Sequence, residues 1–471
     1  MIPVFVILVL FSVSLAMTLT RGVAATFTFV LLPTLLVLFG VDPVEVQKLP
    51  DITGIGAVGY GVLIAQGIKG DLTPPFKLSL LDGLVVAMSI NVVLSGVINE
   101  EIWTGVSLVG NQTLEVMVPY FMGRVAFLDR HWRMMAAKVV LWIAVPLSFI
   151  SLVEMRLVPM FFSRAILAPF GLTDSDYVQV LQRFGLFRAQ ASFSHPIDLG
   201  NGGVLLACML VALACSSGAK LRTPWVLLGV VCCLLMSAAS ISFTSFVAVA
   251  AILGLFAMLR LSRLGGWVLV PIVIAAIAFY IGLTRYFIET PLPGPIYEIE
   301  GTVNASTAVR QLIVQNTWVF AQDSGLFGYN KTVTAKMLDL QSVDNAYMLF
   351  LLHFGFLYLT LFLLAGIYIA GRAGLTLTKI READARVPLA AGVAGIIGTM
   401  LGMYTVFFGF VYAKLFLILI AFVATMSQMA LARINTGKPM PSETDNGRPM
   451  GAPAIPAGGF PVLPAATARV R

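Results

Sequence analysis

Charged side chains are scarce in this sequence. Asp, Glu, Lys and Arg make up 11% of its 471 residues, whereas hydrophobic residues make up 59%. Soluble domains contain about 25% charged residues, so this chain lacks the polar side chains that would cover a surface in water. The composition excludes a soluble enzyme, a nucleic-acid-binding protein and a disordered chain, and it favours a polytopic membrane protein.

Cysteine and histidine are also rare, with four and three residues. The cysteines at 208, 215, 232 and 233 lie in apolar runs, and their spacing is not that of a metal site. The sequence therefore excludes a disulfide scaffold and predicts neither a metal nor another cofactor. The net charge is +7; since cytoplasmic loops of membrane proteins collect Lys and Arg, this excess does not indicate nucleic acid as a partner.

Long apolar runs recur along the chain. A helix needs about 20 apolar residues to cross a bilayer, and the runs predict an all-α bundle of about 12–13 transmembrane helices. The candidate spans lie near 3–20, 22–41, 53–68, 79–98, 103–123, 135–153, 199–217, 225–239, 241–259, 266–284, 345–371, 388–405 and 407–431.

Basic residues predict the orientation of these spans. Four short loops are predicted to be cytoplasmic because they are basic. In chain order they contain Arg124, Arg130 and Arg133; Lys220 and Arg222; Arg260 and Arg263; and Lys379, Arg381 and Arg386. The segments predicted are 1–153, N-terminal transmembrane helices; 154–198, periplasmic; 199–284, transmembrane; 285–344, a large periplasmic loop; 345–431, transmembrane; and 432–471, a disordered cytoplasmic tail. In a bacterium, this orientation predicts an inner-membrane protein whose two long segments face the periplasm.

The two long segments contain polar residues that topology does not explain. Arg188 either reaches lipid phosphates or binds a phosphate with its guanidinium group. His195 precedes Pro196 and a span, so it caps a helix, contacts a phosphate or acts as an acid or base. Arg310 falls in the first turn of a predicted helix whose N-cap is Ser306.

The last of these residues, Asp344 and Asn345, directly precede a long apolar helix. An acidic residue at this position has a structural explanation, because it can cap the helix. It also has a chemical one, because a carboxylate can act as a general base. The sequence leaves both interpretations of Asp344 open.

The arrangement over residues 180–365 resembles the O-antigen ligase and O-antigen polymerase superfamily of bacterial envelope glycosyltransferases, which are GT-C-like membrane enzymes. Three elements carry the resemblance: Arg188 followed by 193–196 (Phe-Ser-His-Pro); Arg310 followed by Trp318 and a Gly-x-x-Gly turn; and Asp344-Asn345 followed, after nine intervening residues, by Gly355 and then Tyr358. In the ligase signature, histidine stands where this chain has Asp344.

The resemblance implies a polysaccharide polymerase. It would transfer a glycan from undecaprenyl diphosphate to the hydroxyl of an acceptor glycan in the periplasm, with inversion and without a metal. Asp344, Arg188 and Arg310 would be catalytic, and His195 and Asn345 would bind substrate. Many relatives have an arginine near 240–245, where this chain has none, so Arg285 is the residue expected to supply that anion contact.

Three alternatives stay open. A ligase would attach the glycan to a lipid or protein. A secondary transporter or flippase would need ionisable residues in mid-membrane, where Glu115 is the main candidate and is interpreted as isolated. A non-catalytic membrane scaffold is the third. For the polymerase, the expected partners are the lipid-linked oligosaccharide, the acceptor glycan, the lipid bilayer and a chain-length regulator.

Overall fold

The structure, a computed structural model, describes residues 2–37, 53–71, 73–100, 102–170, 182–193, 195–261, 265–291, 302–330, 345–403 and 410–436. Over these residues the chain is almost entirely helical. The helices are α1 (Ile2–Arg21), α2 (Val23–Thr26), α3 (Leu32–Val37), α4 (Gly54–Lys69), α5 (Leu80–Asn99), α6 (Ile102–Gln112), α7 (Val118–Ala126), α8 (Arg130–Arg156), α9 (Pro196–Ser216), α10 (Pro224–Ala239), α11 (Phe243–Leu261), α12 (Gly265–Glu289), α13 (Thr302–Ala321), α14 (Ala346–Lys379), α15 (Ala383–Gly402) and α16 (Phe410–Thr436).

Shorter elements complete the described chain. π-helical turns at Phe27–Leu31 and Thr113–Met117 join α2 to α3 and α6 to α7. A π-helical turn at Phe162–Leu167 and a 3-10 turn at Ala168–Phe170 follow α8. Strands β1 (Gln182–Arg183) and β2 (Leu186–Phe187) form an antiparallel hairpin before α9.

The helices form a membrane bundle, which confirms the predicted fold class. Within the described residues, nine helices are long and apolar enough to cross a membrane, namely α1, α5, α8, α9, α11, α12, α14, α15 and α16. The apolar segments 23–37 and α10 are shorter. Helices α9 and α15 lie at the centre, because most of their residues are buried by neighbouring helices, whereas few residues of α1 and α12 are buried.

The basic loops gather at one end of the bundle, here called the basic end. Arg130 at the start of α8 donates from Nε to the Ser217 carbonyl after α9 (2.9 Å). Arg260 at the end of α11 pairs with Asp384 at the start of α15 (3.2 Å). Since successive helices alternate in direction, the N-terminus of α9 and the turn between α10 and α11 lie at the opposite end.

Three of the residues predicted in the basic loops are buried instead, namely Arg124, Arg133 and Arg386. Arg124 lies in the last turn of α7, with none of its surface exposed, and pairs with Asp82 at the start of α5. Its Nε and Nη2 donate to Thr425 Oγ1 (2.9 Å) and Gln428 Oε1 (2.8 Å) on α16. Arg124 therefore lies in a helix rather than in the predicted loop, and it joins α7, α5 and α16.

Candidate functional site

The β1–β2 hairpin holds two arginines against the turn between α10 and α11. Arg183 Nη1 donates to the Ile241 carbonyl (3.2 Å), and Arg188 Nε donates to the Ser240 carbonyl (3.1 Å). The hairpin turn is tight because Phe184 and Gly185 both have positive φ angles, of 55° and 73°. Such a turn matches the twist of the two strands. It places Arg183 and Arg188 near each other, and both guanidinium groups reach the turn between α10 and α11.

These two positive charges are not neutralised by the described part of the chain. Neither arginine forms an ion pair with a described carboxylate. Both are half-buried. Burial, followed by the nearby charge of Arg183, lowers the pKa of Arg188 to about 10, so its guanidinium group stays protonated at neutral pH. Like charges held together in this way favour an anion as ligand.

A buried carboxylate fixes the segment that follows Arg188. Glu154, near the end of α8, is 1% exposed, and its Oε2 accepts hydrogen bonds from the backbone N–H groups of Gln190 (2.8 Å) and Ala191 (2.7 Å). Its Oε1 accepts from the N–H of Phe162 (3.0 Å). Ala191 has a φ of 46°, a conformation that is unfavourable for a residue with a Cβ atom. Glu154 thus stabilises a backbone shape that the segment would not adopt alone.

The same segment is fastened to two other helix ends. Ala189 N–H donates to the Ala239 carbonyl at the end of α10 (3.1 Å). Ser192 Oγ donates to the Leu36 carbonyl in α3 (2.6 Å). The backbone that follows Arg188 is therefore held by hydrogen bonds to α8, α10 and α3.

His195 is the N-cap of α9. Its Nδ1 accepts a hydrogen bond from the N–H of Ile197 (3.2 Å). An accepting Nδ1 assigns the ring proton to Nε2, so in this state Nε2 is a donor and not a base. Of the three roles left open by the sequence, capping is present, and donation to an anion is compatible with it.

α9 also packs closely on the turn contacted by the arginines. A Cβ atom on Gly200 would lie 2.4 Å from Ser240 Oγ and 2.1 Å from Ser245 Oγ. Only glycine permits this approach. The first turns of α9, the α10–α11 turn and the hairpin thus form one site at the end opposite the basic loops, defined by Arg183, Arg188, Glu154 and His195.

Arg310 lies on a separate element at this end. α13 packs on α12 and α14, and Arg310 is half-buried. Gln315 Nε2 donates to the carbonyls of Phe287 and Thr290 (2.8 Å each), which ties α13 to the end of α12. The predicted N-cap was wrong: α13 begins at Thr302, so Ser306 lies inside the helix.

The Gly-x-x-Gly turn docks into a break in α14. Gly355 has a non-helical φ of 77° and ψ of −177°, so the hydrogen bonds of Phe356 and Leu357 to the preceding turn of the helix are replaced. Their N–H groups donate to the carbonyls of Gly325 (3.1 Å) and Leu326 (3.2 Å).

The carbonyls exposed by the break are used in the same way. Leu352 and His353 accept from the N–H groups of Tyr329 (2.8 Å) and Asn330 (2.7 Å). Two glycine motifs that are distant in the sequence therefore form one backbone junction.

The remaining predicted residues differ in placement. Asn345 is the N-cap of α14, since its Oδ1 accepts from the N–H of Met348 (3.1 Å), and it is 3% exposed. Asp344 lies outside the described residues. Arg285 is exposed on α12 and pairs with Glu289 (2.7 Å). The residue found at the α10–α11 turn is Arg183, not Arg285.

Glu115 is not isolated, contrary to the sequence interpretation. Its Oε2 accepts from Lys414 Nζ on α16 (2.7 Å), and its Oε1 accepts from Thr53 Oγ1 (2.7 Å). Both charged side chains are largely buried. No short spacing in the sequence connects positions 115 and 414, and they meet only because α16 packs on the π-helical turn at Thr113–Met117.

Sequence reasoning missed Arg183, Glu154 and Lys414. Arg183 and Glu154 lie on the predicted periplasmic side. Topology does not require charged residues there, and this signal could have identified both of them.

Within the described residues, no group of three His, Cys, Asp or Glu side chains is arranged to hold a metal ion. No protein-family model matches the chain, and no curated protein has significant similarity to it.

Proposed function

We propose that the chain is a membrane glycosyltransferase, a polysaccharide polymerase that transfers a glycan from undecaprenyl diphosphate to an acceptor glycan. The observation that supports this proposal most is the pair Arg183 and Arg188, half-buried and without a carboxylate partner in the described chain. A diphosphate is the anion that such a pair would suit, since guanidinium groups bind phosphate oxygens through parallel hydrogen bonds.

The chemistry follows from the leaving group. The acceptor hydroxyl attacks the anomeric carbon, the bond from that carbon to the diphosphate oxygen breaks, and the anomeric configuration inverts. Negative charge then grows on the departing diphosphate, and the two arginines would stabilise it more in the transition state than in the ground state. Nε2–H of His195 would donate to the same group, and Asp344 would accept the proton of the acceptor hydroxyl.

The position of the site supports an external reaction. It lies opposite the basic end, and positively charged loops are typical of the cytoplasmic side. On this reasoning the site faces the periplasm of a bacterium and is adjacent to the bilayer that holds the polyprenyl chain. Arg310 on α13 is the candidate for a third cation.

The experiment is polymer formation from purified undecaprenyl-diphosphate repeat units. We expect Arg188→Ala and Arg183→Ala each to lower turnover by ~10²-fold or more, as losses of electrostatic stabilisation do. Lysine at either position should restore little, because it lacks the planar fork. Arg164→Ala is the matched control, since Arg164 is exposed and lies in the turn after α8. Normal turnover in both Arg188 and Arg183 variants would refute the proposal.

A ligase of the same chemistry differs in its acceptor, so replacing the acceptor glycan by a lipid or protein acceptor in this assay separates the two. A transporter or flippase is favoured by one observation, the buried pair Glu115–Lys414. Transport of lipid-linked glycan across vesicles that is lost in Glu115→Gln but kept in Arg188→Ala would favour that function instead.

A further inference from the structure

A cavity of about 520 Å³ opens at the basic end of the bundle, away from the site described above. It lies where α8 and α10 begin and α9 ends. Its wall contains Arg130, Lys138, Lys220, Gly218, Thr223 and Trp225, and no carboxylate lines it. Three cations around one concave surface require an explanation.

Capping of α9 explains one of these cations. Arg130 Nε donates to the Ser217 carbonyl (2.9 Å), and Arg133 Nη2 donates to the Ser216 carbonyl (3.2 Å). Cations at a helix C-terminus are stabilised by its unpaired carbonyls. Gly218 makes room for Arg130, because a Cβ atom there would lie 2.3 Å from Nη2.

Lys138 and Lys220 are not explained in this way. Both are exposed, and neither forms an ion pair with a carboxylate of the described chain. Lys138 lies two turns beyond Arg130 on α8, about 12 Å along the helix axis. A lysine at that depth is costly in lipid unless its ammonium group reaches water or an anion.

The surroundings of the cavity are those of a lipid headgroup site. Trp225 lies in the first turn of α10, and tryptophan is enriched at the level of the headgroups. Beyond it, Leu228 and Val231 on α10 and Trp142 on α8 are exposed, with 52%, 52% and 76% of their surface accessible. These apolar surfaces would contact acyl chains beside the cations of the cavity wall.

We propose that this cavity binds the phosphate of an anionic phospholipid, with Lys138 and Lys220 contacting the phosphate beside Arg130. The acyl chains would follow the exposed surfaces of α8 and α10. The start of α10 adds the positive end of a helix to the same wall. The proposal is independent of the transferase function, since it uses none of the residues of that site.

The test measures lipid binding to the full-length protein in detergent by native mass spectrometry, with phosphatidylglycerol, phosphatidylcholine and inorganic phosphate as probes. The variant is Lys138→Gln combined with Lys220→Gln. The matched control is Arg222→Gln combined with Lys379→Gln, which removes two exposed cations from the basic end outside the cavity wall.

We expect phosphatidylglycerol to bind more tightly than phosphatidylcholine. Each lysine should contribute about fivefold to the Kd, so the double variant should bind about 25-fold more weakly, whereas the control should be unchanged. Equal binding of the two lipids, or an equal loss in the control, would overturn the proposal. Displacement of phosphatidylglycerol by inorganic phosphate at millimolar concentration would also overturn it, because the ligand would then be a small anion.

Discussion

Replacing Gly355 with alanine tests how the Gly-x-x-Gly turn is held at the break in α14. In the structure, the two backbone hydrogen bonds that a continuous helix would form from Phe356 and Leu357 to the preceding turn are replaced by four hydrogen bonds with residues 325–330. The exchange requires a φ of 77° and a ψ of −177° at Gly355. Alanine would have to adopt this conformation or close the helix and expel the turn.

The magnitude follows from two contributions. A φ/ψ pair in this region is essentially restricted to glycine and costs about 1–3 kcal/mol for other residues. The new Cβ atom would also lie 2.4 Å from the Leu326 carbonyl carbon and 2.5 Å from the Gly328 nitrogen. These are backbone atoms, so the turn itself must move, and hydrogen bonds worth about 1 kcal/mol each are weakened. We expect a destabilisation of about 3–6 kcal/mol.

The assay is thermal unfolding in a mild detergent, followed by tryptophan fluorescence. Gly371→Ala is the matched control on the same helix, because its new Cβ atom would have no neighbour within 4 Å. It should stabilise the helix by up to about 1 kcal/mol. Hydrogen exchange of the amides of Phe356 and Leu357 provides a local measurement, which should accelerate only in Gly355→Ala. If both variants unfold at the same temperature with unchanged exchange, the break does not hold the turn and the reasoning is refuted.

Three further predictions concern charged residues. Glu154→Gln should place an amide N–H₂ group opposite backbone N–H donors, which lowers the free energy of unfolding by about 2–4 kcal/mol. Thermal unfolding compares this variant with Glu289→Gln, which changes an exposed carboxylate, and equal stability of the two variants would contradict the prediction. Lys414→Met should cost about 3–5 kcal/mol because Glu115 is left buried and unpaired; a double variant with Glu115→Leu should recover most of the loss, and no recovery would show that the two side chains are not coupled. Asp344→Asn should lower polymer formation by ~10²-fold or more if the carboxylate is a general base, while Asp344→His should keep part of the activity. Polymer formation at the wild-type rate by Asp344→Asn would show that Asp344 is not the general base.

The membrane spans could be predicted because hydropathy is a local property. The run marked at 199–217 corresponds to α9 at Pro196–Ser216, and the runs marked at 225–239 and 241–259 correspond to α10 and α11. Helix ends were less certain, as Ser306 illustrates. A serine in a polar stretch is compatible with a position inside a helix as well as with a cap, and α13 begins four residues before Ser306.

The candidate site could be predicted only in part. Arg188 and His195 were recognised because polar residues on the predicted outer side have no topological role. Arg183 and Glu154 have the same signal, but their importance depends on partners far along the chain: the Ile241 carbonyl for one, the amides of Gln190 and Ala191 for the other. Such partners follow no short spacing.

By itself, the sequence determined that this protein is an all-α membrane bundle, where its long helices run, and which loops are basic. These properties depend on the free energy of transferring contiguous apolar segments out of water, and that free energy depends on the residues of each segment alone. Only the tertiary structure decided that Arg183 joins Arg188, that Lys414 pairs with Glu115, and that the turn at 325–330 fills the break at Gly355. These contacts depend on which helix surfaces meet, and that is set by the packing of the whole bundle.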